Sequence, residues 1–383
     1  MTAVQHTDMY GSGPLYKRAG ASASASHQAS PRVSSATRGI SALTSGSAPS
    51  SAATLPFVFI LDWDGTIAGR VEYQSHAYTL MQTLKRQGVK SVPGYNPAAA
   101  FGRGTKLIRP GFAAFVRGLR EFYGPEQVHF FIYTASEKQW AHHEIAIVEK
   151  EHDFQFARPL FTRDDCIVDT AGSYKKSISK IFPRVLRAMA RDRPFTKNEK
   201  DYILAYQTLV IDNNAVYSDH TDKLLLCPDY NYCVFENVLD MIPRSAWQNA
   251  AVVAYIRGMI SSGVACPQQC AAIAATSPRS GGGPIGGGGS AAEPDAPAGA
   301  DYVRTLVESY TWLAMKCKKI QDENEAYASD DFWRYLKKMI VGNVIRNYSR
   351  HTVQQLQNAV WRRAQKSPKQ AATPGSGARH TMS

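Results

Sequence analysis

Two carboxylates, Asp62 and Asp64, directly follow the apolar run 57–61. A carboxylate that attacks a phosphoryl group forms an aspartyl-phosphate, which divides one difficult displacement into two easier steps. Asp62 is the candidate nucleophile, and Asp64 is the candidate acid that protonates the leaving oxygen and later activates water. Asp-x-Asp-Gly is also typical of a turn capped by an aspartate side chain, so the choice between catalysis and a plain turn depends on the rest of the chain.

Three further stretches offer groups that phosphoryl transfer needs. Thr134 ends a second apolar run and can donate to a phosphate oxygen, although a threonine in this place is also a common helix cap. The pair Lys175-Lys176 offers a cation that would neutralise charge on the transferring group. Asp212 and Asn213 offer oxygen ligands of the kind that Mg²⁺ prefers, and the ion would screen the phosphate from the attacking carboxylate. Together these residues favour catalysis over a plain turn.

The apolar runs that precede these polar residues predict the fold. Runs 57–62, 128–134 and 209–213 predict buried strands that each end on a polar side chain. A helix is predicted to begin near 109–111, with apolar residues at helical spacing after it. Strands that alternate with helices predict an α/β domain with a doubly wound, mainly parallel sheet. In such sheets ligands bind beyond the carboxyl ends of the strands, so one site can gather side chains from several strands.

Composition divides the chain into five predicted parts. Ser/Ala-rich and Gly/Pro-rich segments cannot bury enough surface to offset the entropy of ordering, whereas the patterns 302–320 and 331–365 have helical period. The parts are a disordered leader 1–55, a core domain 56–263, a linker 264–300, a basic helical module 301–368 and a disordered tail 369–383. The helical module is predicted either to stand alone or to dock back on the core.

Positive charge is concentrated at the C-terminal end of the chain. The net charge is +12 over 383 residues, and the stretch from Arg334 onward has ten Lys or Arg and no Asp or Glu. Such a block favours an anionic partner, namely nucleic acid, an acidic protein or a membrane surface, unless it is only a solvated basic tail. No apolar stretch approaches the ~20 residues that a membrane-spanning helix needs, so a soluble protein is predicted.

The number and spacing of the cysteines indicate whether the protein lies in a reducing or an oxidising compartment. The six cysteines lack the spacing of a disulfide framework, and Cys266 and Cys270 have no second pair that would complete a zinc site. A reducing compartment is therefore expected, and nuclear or cytoplasmic localisation is predicted. The leader is basic, Ser-rich and poor in acids, which resembles a mitochondrial transit peptide, but it shows no amphipathic helix and plain disorder is favoured.

Four stretches in a fixed order, 109–111, 133–136, 173–179 and 211–214, resemble the landmarks of one family branch. This branch contains the RNA polymerase II C-terminal-domain phosphatases and the NLI-interacting-factor-like phosphatases, within the haloacid-dehalogenase-like superfamily. The likeness covers about residues 57–245. It implies a Rossmannoid fold and a phosphoric monoester hydrolase, namely a protein serine/threonine phosphatase that acts through an aspartyl-phosphate.

The resemblance also implies roles for individual residues. Asp62 would be the nucleophile and Asp64 the acid and base. Thr134 and Lys176 would bind phosphate, and the lysine is identified by its place two residues after Tyr174, as in the family. The implied substrate is a phosphorylated protein, with the C-terminal tail of RNA polymerase II as one candidate.

The implied cofactor is Mg²⁺. By the resemblance it is held by Asp62, the backbone carbonyl of Asp64 and Asn213, with Asp212 close by. The chain departs from the family at the first motif, where Trp63 and Gly65 replace the usual Leu and Glu. The gap between the phosphate-binding lysine and Asp212 is also longer than in the small phosphatases, and an insert there would reshape the substrate groove.

Two other functions remain open at this stage. A mitochondrial inner-membrane translocase subunit uses a related domain as a receptor, so a catalytically reduced binding module is one alternative. The other is a phosphatase for nucleic-acid ends or nucleotides, because the aromatic residues Trp333, Tyr335, Tyr348 and Trp361 lie among the C-terminal cations and could stack on bases. Their helical spacing favours a packed core instead.

Overall fold

The computed structural model describes residues 55–89, 96–190, 192–236 and 315–366. The predicted linker and tail, and the leader up to residue 54, lie outside these ranges, as do Cys266 and Cys270. The described residues all belong to one compact unit.

Six strands lie in the described part of the chain. They are β1 (Phe57–Leu61), β2 (Val128–Ile132), β3 (Ile167–Val168), β4 (Tyr174–Lys175), β5 (Thr208–Asp212) and β6 (Leu224–Leu226). Four of them form a sheet of order β2-β1-β5-β6, in which every neighbouring pair is parallel. The other two form an antiparallel hairpin, β3-β4. The predicted parallel sheet is confirmed.

Eight of the α-helical segments in the described ranges are numbered in chain order. They are α1 (Glu72–Arg86), α2 (Pro97–Phe101), α3 (Phe112–Tyr123), α4 (Lys138–His152), α5 (Ile178–Met189), α6 (Lys197–Tyr202), α7 (Phe332–Gly342) and α8 (Arg350–Lys366). Residues 315–325 are also helical. A π-helical turn, Ile203–Gln207, leads into β5.

The register of the sheet brings the strand ends together. Leu61 at the end of β1 pairs with Ile132 on one side and with Ile211 on the other. The residues that follow these partners therefore emerge at one edge of the sheet. Asp62 and Asp212 both lie at this carboxyl edge, which is where ligands bind in open α/β sheets.

The sheet separates two apolar layers. Alternate residues of a strand point to opposite faces, so Phe59 packs in one layer and Ile60 packs in the other, and both are fully buried. The first layer contains α3, whose predicted apolar face is confirmed because Phe112 and Leu119 are buried. The second layer contains α5. A sheet covered on both faces agrees with the doubly wound prediction.

The C-terminal helices dock on this core. The helical pattern over 331–365 corresponds to two helices, and the chain breaks between α7 and α8, where Val344 has a positive φ of 51°. Trp333 on α7 is fully buried, and its ring centroid lies 4.7 Å from that of Phe115 on α3. The glycine at 118 lets the helices approach, since a Cβ there would lie 2.7 Å from Cδ of Lys337.

Helix α8 covers the edge of the sheet. Its Gln357 side chain accepts a hydrogen bond from the Leu226 backbone N–H (2.7 Å) and donates one to the Leu226 carbonyl (2.9 Å). The amide therefore takes the place of a further strand beside β6. An open strand edge is a template for aggregation, so α8 removes this hazard as well as burying apolar surface.

A buried ion pair joins the core to the segment before α7. The guanidinium of Arg109 donates to both oxygens of Asp330, at 2.9 and 2.7 Å, and the two side chains are 0% and 4% exposed. Arg109 also donates to the Pro228 carbonyl (2.8 Å) and lies over the ring of Phe332. The arginine of the 109–111 motif is thus a structural anchor.

None of the helices in the described ranges combines the length and the apolar character that a bilayer crossing requires.

We expect Asp330→Ala to lower the free energy of unfolding by about 3–5 kcal/mol, because it leaves the Arg109 charge buried without a partner. Glu323→Gln is the matched control, since Glu323 pairs with Arg70 at the surface and such pairs contribute only about 0–1 kcal/mol. Urea unfolding followed by tryptophan fluorescence measures both variants. Equal losses for the two variants would contradict the anchoring role of the buried pair.

Candidate active site

The turn after β1 places the two predicted catalytic acids. The Asp62 N–H donates to the Ile211 carbonyl (2.9 Å), which continues the pairing with β5 by one residue. The chain then turns, and the N–H groups of Ile67 and Ala68 both donate to the Trp63 carbonyl. This folds the chain back over the sheet edge, so Asp62 stays buried beneath the turn while Asp64 lies half-buried on it.

Lys176 lies between two of the carboxylates. Its Nζ donates to Asp62 Oδ1 at 2.5 Å and to Asp212 Oδ2 at 2.7 Å, and all three side chains are buried. The neighbouring Lys175 points outward, where it pairs with Asp169 at 3.6 Å. The structure therefore brings Lys176, rather than Lys175, together with Asp62 and Asp212 from three separate stretches of the chain.

Burial and charge set the protonation of this cluster. Burial raises the pKa of Asp62 to about 7, the negative charge of Asp212 adds to the rise, and Lys176 opposes it. Burial alone would lower the pKa of Lys176, but Asp212 and Asp62 outweigh it and hold that pKa above its ordinary value. The ammonium therefore stays charged, and one ammonium does not compensate all of the surrounding carboxylates.

The hydroxyl of Thr66 links the nucleophile candidate to Asn213. Thr66 Oγ1 lies 3.1 Å from Asp62 Oδ2 and 3.2 Å from Asn213 Oδ1, within hydrogen-bond reach of both. It also accepts a hydrogen bond from the Asn213 backbone N–H (3.0 Å). Two predicted metal-ligand oxygens are thereby held on either side of one buried hydroxyl.

Asp64 contacts the loop after β2. Its Oδ2 accepts hydrogen bonds from Thr134 Oγ1 (3.1 Å) and from Ser136 Oγ (2.6 Å). Thr134 is not a helix cap, because α4 begins at Lys138 with Glu137 as its N-cap residue. The structure thus places Thr134 beside the predicted acid and base, in a loop rich in hydroxyl groups.

Sequence reasoning missed Ser136 and Arg163. The Arg163 backbone N–H donates to the Ser136 carbonyl (3.0 Å), and its Nε donates to the Ala135 carbonyl (2.8 Å). Its guanidinium carbon lies 5.2 Å from the centre of the Tyr174 ring. A short turn, Arg163–Asp165, brings this cation to the loop, and no local pattern in the sequence indicates that approach.

A buried acid also lies near the site. Burial raises the pKa of Glu144 on α4 well above its ordinary value, and the charge of Asp64 adds to the rise. Glu144 is fully buried, and its raised pKa favours the protonated, neutral form of this side chain beside Asp64.

Lack of space for a side chain explains the glycine at position 65 of the first motif. Gly65 has a positive φ of 74°, and a Cβ on it would lie 2.6 Å from Asp229 Oδ1 and closer still to Asn213 Nδ2. Asn213 donates to Asp229 at 2.8 Å, and this pair fills the space that a side chain at 65 would need. A glutamate, which is usual at this position in the family that the sequence resembles, would collide with this pair.

The residues at the sheet edge fit an open Mg²⁺ site. The described residues contain no cluster of three or more His, Cys, Asp or Glu that would enclose a metal ion. Mg²⁺ in phosphate-transfer sites instead takes one or two carboxylates, waters and substrate oxygens. Asp62 and Asn213 offer adjacent oxygens, and the surplus of negative charge around Lys176 favours a divalent cation.

Asp212 has a different position from the other predicted ligands. Its Oδ2 accepts from Lys176 and its Oδ1 accepts from the Asn214 backbone N–H at 2.7 Å. Both of its oxygens are therefore engaged by protein donors. Asp212 is therefore placed to hold the Lys176 ammonium.

A parallel α/β sheet with Asp-x-Asp-Gly-Thr after its first strand defines the haloacid-dehalogenase-like class of phosphohydrolases. Residues 57–242, just under half of the chain, match the family described as NLI interacting factor-like phosphatase. Over these residues the chain is similar to that family, as the resemblance in the sequence implied.

Two solved structures are similar to this chain. One is of Fcp1, an essential RNA polymerase II CTD phosphatase, with 19% identity, a TM-score of 0.28 and coverage of 54% of this chain and 50% of that chain. The other is of a fission yeast Fcp1 variant bound to beryllium fluoride, with 18% identity, a TM-score of 0.28 and coverage of 54% and 52%. This chain thus spans about half the length of each. No curated protein matches it.

We expect Thr66→Val to lower the free energy of unfolding by about 1–3 kcal/mol, because it leaves the half-buried Asn213 N–H without its acceptor. Thr66→Ser keeps the hydroxyl, so it should lower the free energy of unfolding less than Thr66→Val does, although it removes a buried methyl group. Equilibrium urea unfolding of the two variants measures the difference. A valine variant as stable as the parent protein would show that the hydroxyl does not organise this edge.

Proposed function

We propose that this protein is a Mg²⁺-dependent phosphatase that hydrolyses phosphoserine or phosphothreonine in proteins through an aspartyl-phosphate on Asp62. The observation that carries the proposal is the contact of the buried Lys176 ammonium with both Asp62 and Asp212 at the carboxyl edge of the sheet. An ion pair that served only stability would not need to lie at the edge where the predicted acid, hydroxyl and amide groups also converge.

The reaction divides into two displacements. In the first, an Asp62 carboxylate oxygen forms a bond to phosphorus, the bond from phosphorus to the substrate oxygen breaks, and Asp64 gives its proton to that oxygen. In the second, a water molecule loses a proton to Asp64 and attacks phosphorus. The bond to Asp62 then breaks, phosphate leaves, and Asp64 holds the proton for the next cycle.

The surrounding groups bind and orient the phosphate. Lys176 neutralises charge near the nucleophile, and the hydroxyls of Thr134 and Ser136 are donors beside Asp64. Arg163 adds a half-buried cation next to this loop. The ion would be held by Asp62, Asn213 and the Asp64 backbone carbonyl. When bound, it supplies charge that offsets the repulsion between Asp62 and the phosphate.

A surface beside the site supports a protein substrate. The hairpin β3-β4 exposes Ile167, Val168 and Tyr174, at 41%, 57% and 44%. Lys176 follows directly after this hairpin, so the apolar surface adjoins the phosphate-binding lysine. Exposed apolar side chains next to a charged site suit a peptide whose side chains flank the phosphorylated residue. A phosphorylated RNA polymerase II tail is one such substrate to test.

Phosphate on a nucleic-acid end is the second candidate substrate. Residues 332–366 carry eight Lys or Arg and no Asp or Glu, and Trp361 is 42% exposed. However, Trp333 and Tyr348 are fully buried, and Tyr335 is half-buried under Arg363. Two of the four aromatic residues that were candidates for base stacking therefore pack inside the protein and a third is half-buried, which favours the phosphoprotein.

A receptor without activity is the third candidate. A binding module has no need for a lysine buried between two carboxylates, or for Asp64 in contact with a hydroxyl-rich loop. The convergence of these groups therefore favours an enzyme. Nuclear or cytoplasmic localisation remains a prediction, and imaging of a tagged full-length copy would test it against mitochondrial import.

We expect Asp62→Asn to lower the rate of aryl phosphate hydrolysis in Mg²⁺ by about 10⁴-fold or more, because the amide cannot form the aspartyl-phosphate. Asp153→Asn is the matched control. Asp153 is exposed at the end of α4 with a φ of 56°, a conformation that asparagine also adopts. Mass spectrometry of acid-quenched parent protein should detect phosphate on the peptide that contains Asp62. Full activity of Asp62→Asn would refute the assignment of the nucleophile.

The full chain should hydrolyse a phosphoserine peptide with apolar flanking residues faster than a 5′-phosphorylated oligonucleotide, by about 10-fold or more in kcat/KM, since one apolar contact contributes about that factor. A panel of both substrates at several salt concentrations measures this. A preference for the oligonucleotide that falls steeply with salt would favour the nucleic-acid function instead.

A further inference from the structure

We propose that Asp229 is a positioning residue of the cation site, which fixes the amide of Asn213 so that its oxygen, and not its nitrogen, is presented beside Asp62. This inference rests on the proposed metal-dependent function. No motif in the sequence singles out Asp229, which lies in the loop after β6, well separated from the first motif along the chain.

An asparagine is a useful metal ligand only in one of its two orientations. The amide oxygen can coordinate a cation, whereas the NH₂ group repels it. Asn213 Oδ1 lies 3.2 Å from Thr66 Oγ1, on the side of Asp62. A hydroxyl can donate or accept, so Thr66 alone does not select the orientation. A carboxylate only accepts, so the 2.8 Å contact of Asn213 Nδ2 with Asp229 Oδ1 does select it.

Two backbone hydrogen bonds, one on each side of Asp229 in the chain, anchor the loop that carries this residue. The Cys227 N–H donates to the Asp212 carbonyl (2.9 Å), and the Tyr230 N–H donates to the Gly65 carbonyl (2.9 Å). The other carboxylate oxygen of Asp229 accepts from Asn231 Nδ2 at 2.6 Å. The backbone contacts tie the loop to the first motif and to β5, so Asp229 is held in place although it is exposed.

The first motif makes room for this pair. A Cβ at position 65 would collide with both Asn213 Nδ2 and Asp229 Oδ1. Glycine is therefore needed for the space and for the positive φ. The close fit of Gly65, Asn213 and Asp229 indicates a built arrangement in which the turn after β1, the end of β5 and the loop after β6 meet.

Direct binding of Mn²⁺, followed by electron paramagnetic resonance of the free ion, tests the proposal without relying on activity. We expect Asp229→Ala to raise the dissociation constant by about 10-fold or more, which is the usual range for loss of a partner that orients a ligand. Asp229→Asn keeps an acceptor for Asn213 Nδ2 but loses the charge. Its amide can present either its oxygen or its nitrogen to Asn213, so it should bind Mn²⁺ more tightly than Asp229→Ala but less tightly than the parent protein.

A second pair of variants tests the close fit. Gly65→Ala introduces both strain from the positive φ and a collision with the Asn213–Asp229 pair. Gly88→Ala introduces similar strain, since Gly88 has a φ of 82°, but no described atom lies within 4 Å of its Cβ position. Both variants should lose some stability, and only Gly65→Ala should weaken Mn²⁺ binding. Urea unfolding of all four variants shows whether each one is folded under the binding conditions.

The outcomes separate this inference from the proposed function. Parental affinity for Mn²⁺ in Asp229→Ala overturns the positioning role alone, and so does an Asp229→Asn variant that binds as weakly as Asp229→Ala, since charge would then be the cause. Absence of Mn²⁺ binding in the parent protein overturns the metal-dependent function itself, and the inference with it. Weak binding in Asp229→Ala with partial rescue in Asp229→Asn supports both.

Discussion

The buried contact of Lys176 with Asp62 and Asp212 is the interaction on which the site depends. Removal of three charged groups from water costs several kcal/mol for each, and only close pairing and further hydrogen bonds offset that cost. The sheet supplies this pairing, because its parallel register ends β1 and β5 side by side. The carboxylates at this edge outnumber the ammonium groups, so the negative charge of the cluster is not fully neutralised. A bound cation would offset the remaining negative charge, and the surrounding donors would hold the phosphate.

The polar residues at the strand ends were predictable from the sequence, whereas the site residues that lie in loops were not. Apolar runs that stop on Asp62, Thr134 and Asp212 identify the edge of a parallel sheet, because buried strands need apolar residues and the polar residue marks their end. By contrast, Ser136 and Asp229 enter the site through loops. Their approach depends on tertiary packing, which leaves no periodic signal in a single sequence. Lys176 could be told from Lys175 in the sequence only through the resemblance.

The C-terminal helices also show that local sequence patterns do not predict tertiary packing. Helical period correctly indicated buried faces on both, but it did not locate the break between them or the surface on which they dock. Docking depends on the shape of α3, where the glycine at 118 leaves room for Lys337, and on the uncovered edge of β6, which Gln357 pairs. Both features become visible only when the core is assembled.

The extension and the site are parts of one hydrogen-bonded structure. Asp330 holds Arg109, whose Nη1 lies 3.7 Å from the Cys227 sulfur, and that sulfur lies 3.7 Å from Thr66 Oγ1. Burial raises the pKa of Cys227 to about 12, so the group stays a thiol and can donate toward Thr66. Because Thr66 contacts Asp62 directly, the segment before α7 supports Asp62, the proposed nucleophile, through three intervening side chains. The basic C-terminal helices therefore belong to the architecture of the domain that carries the candidate site.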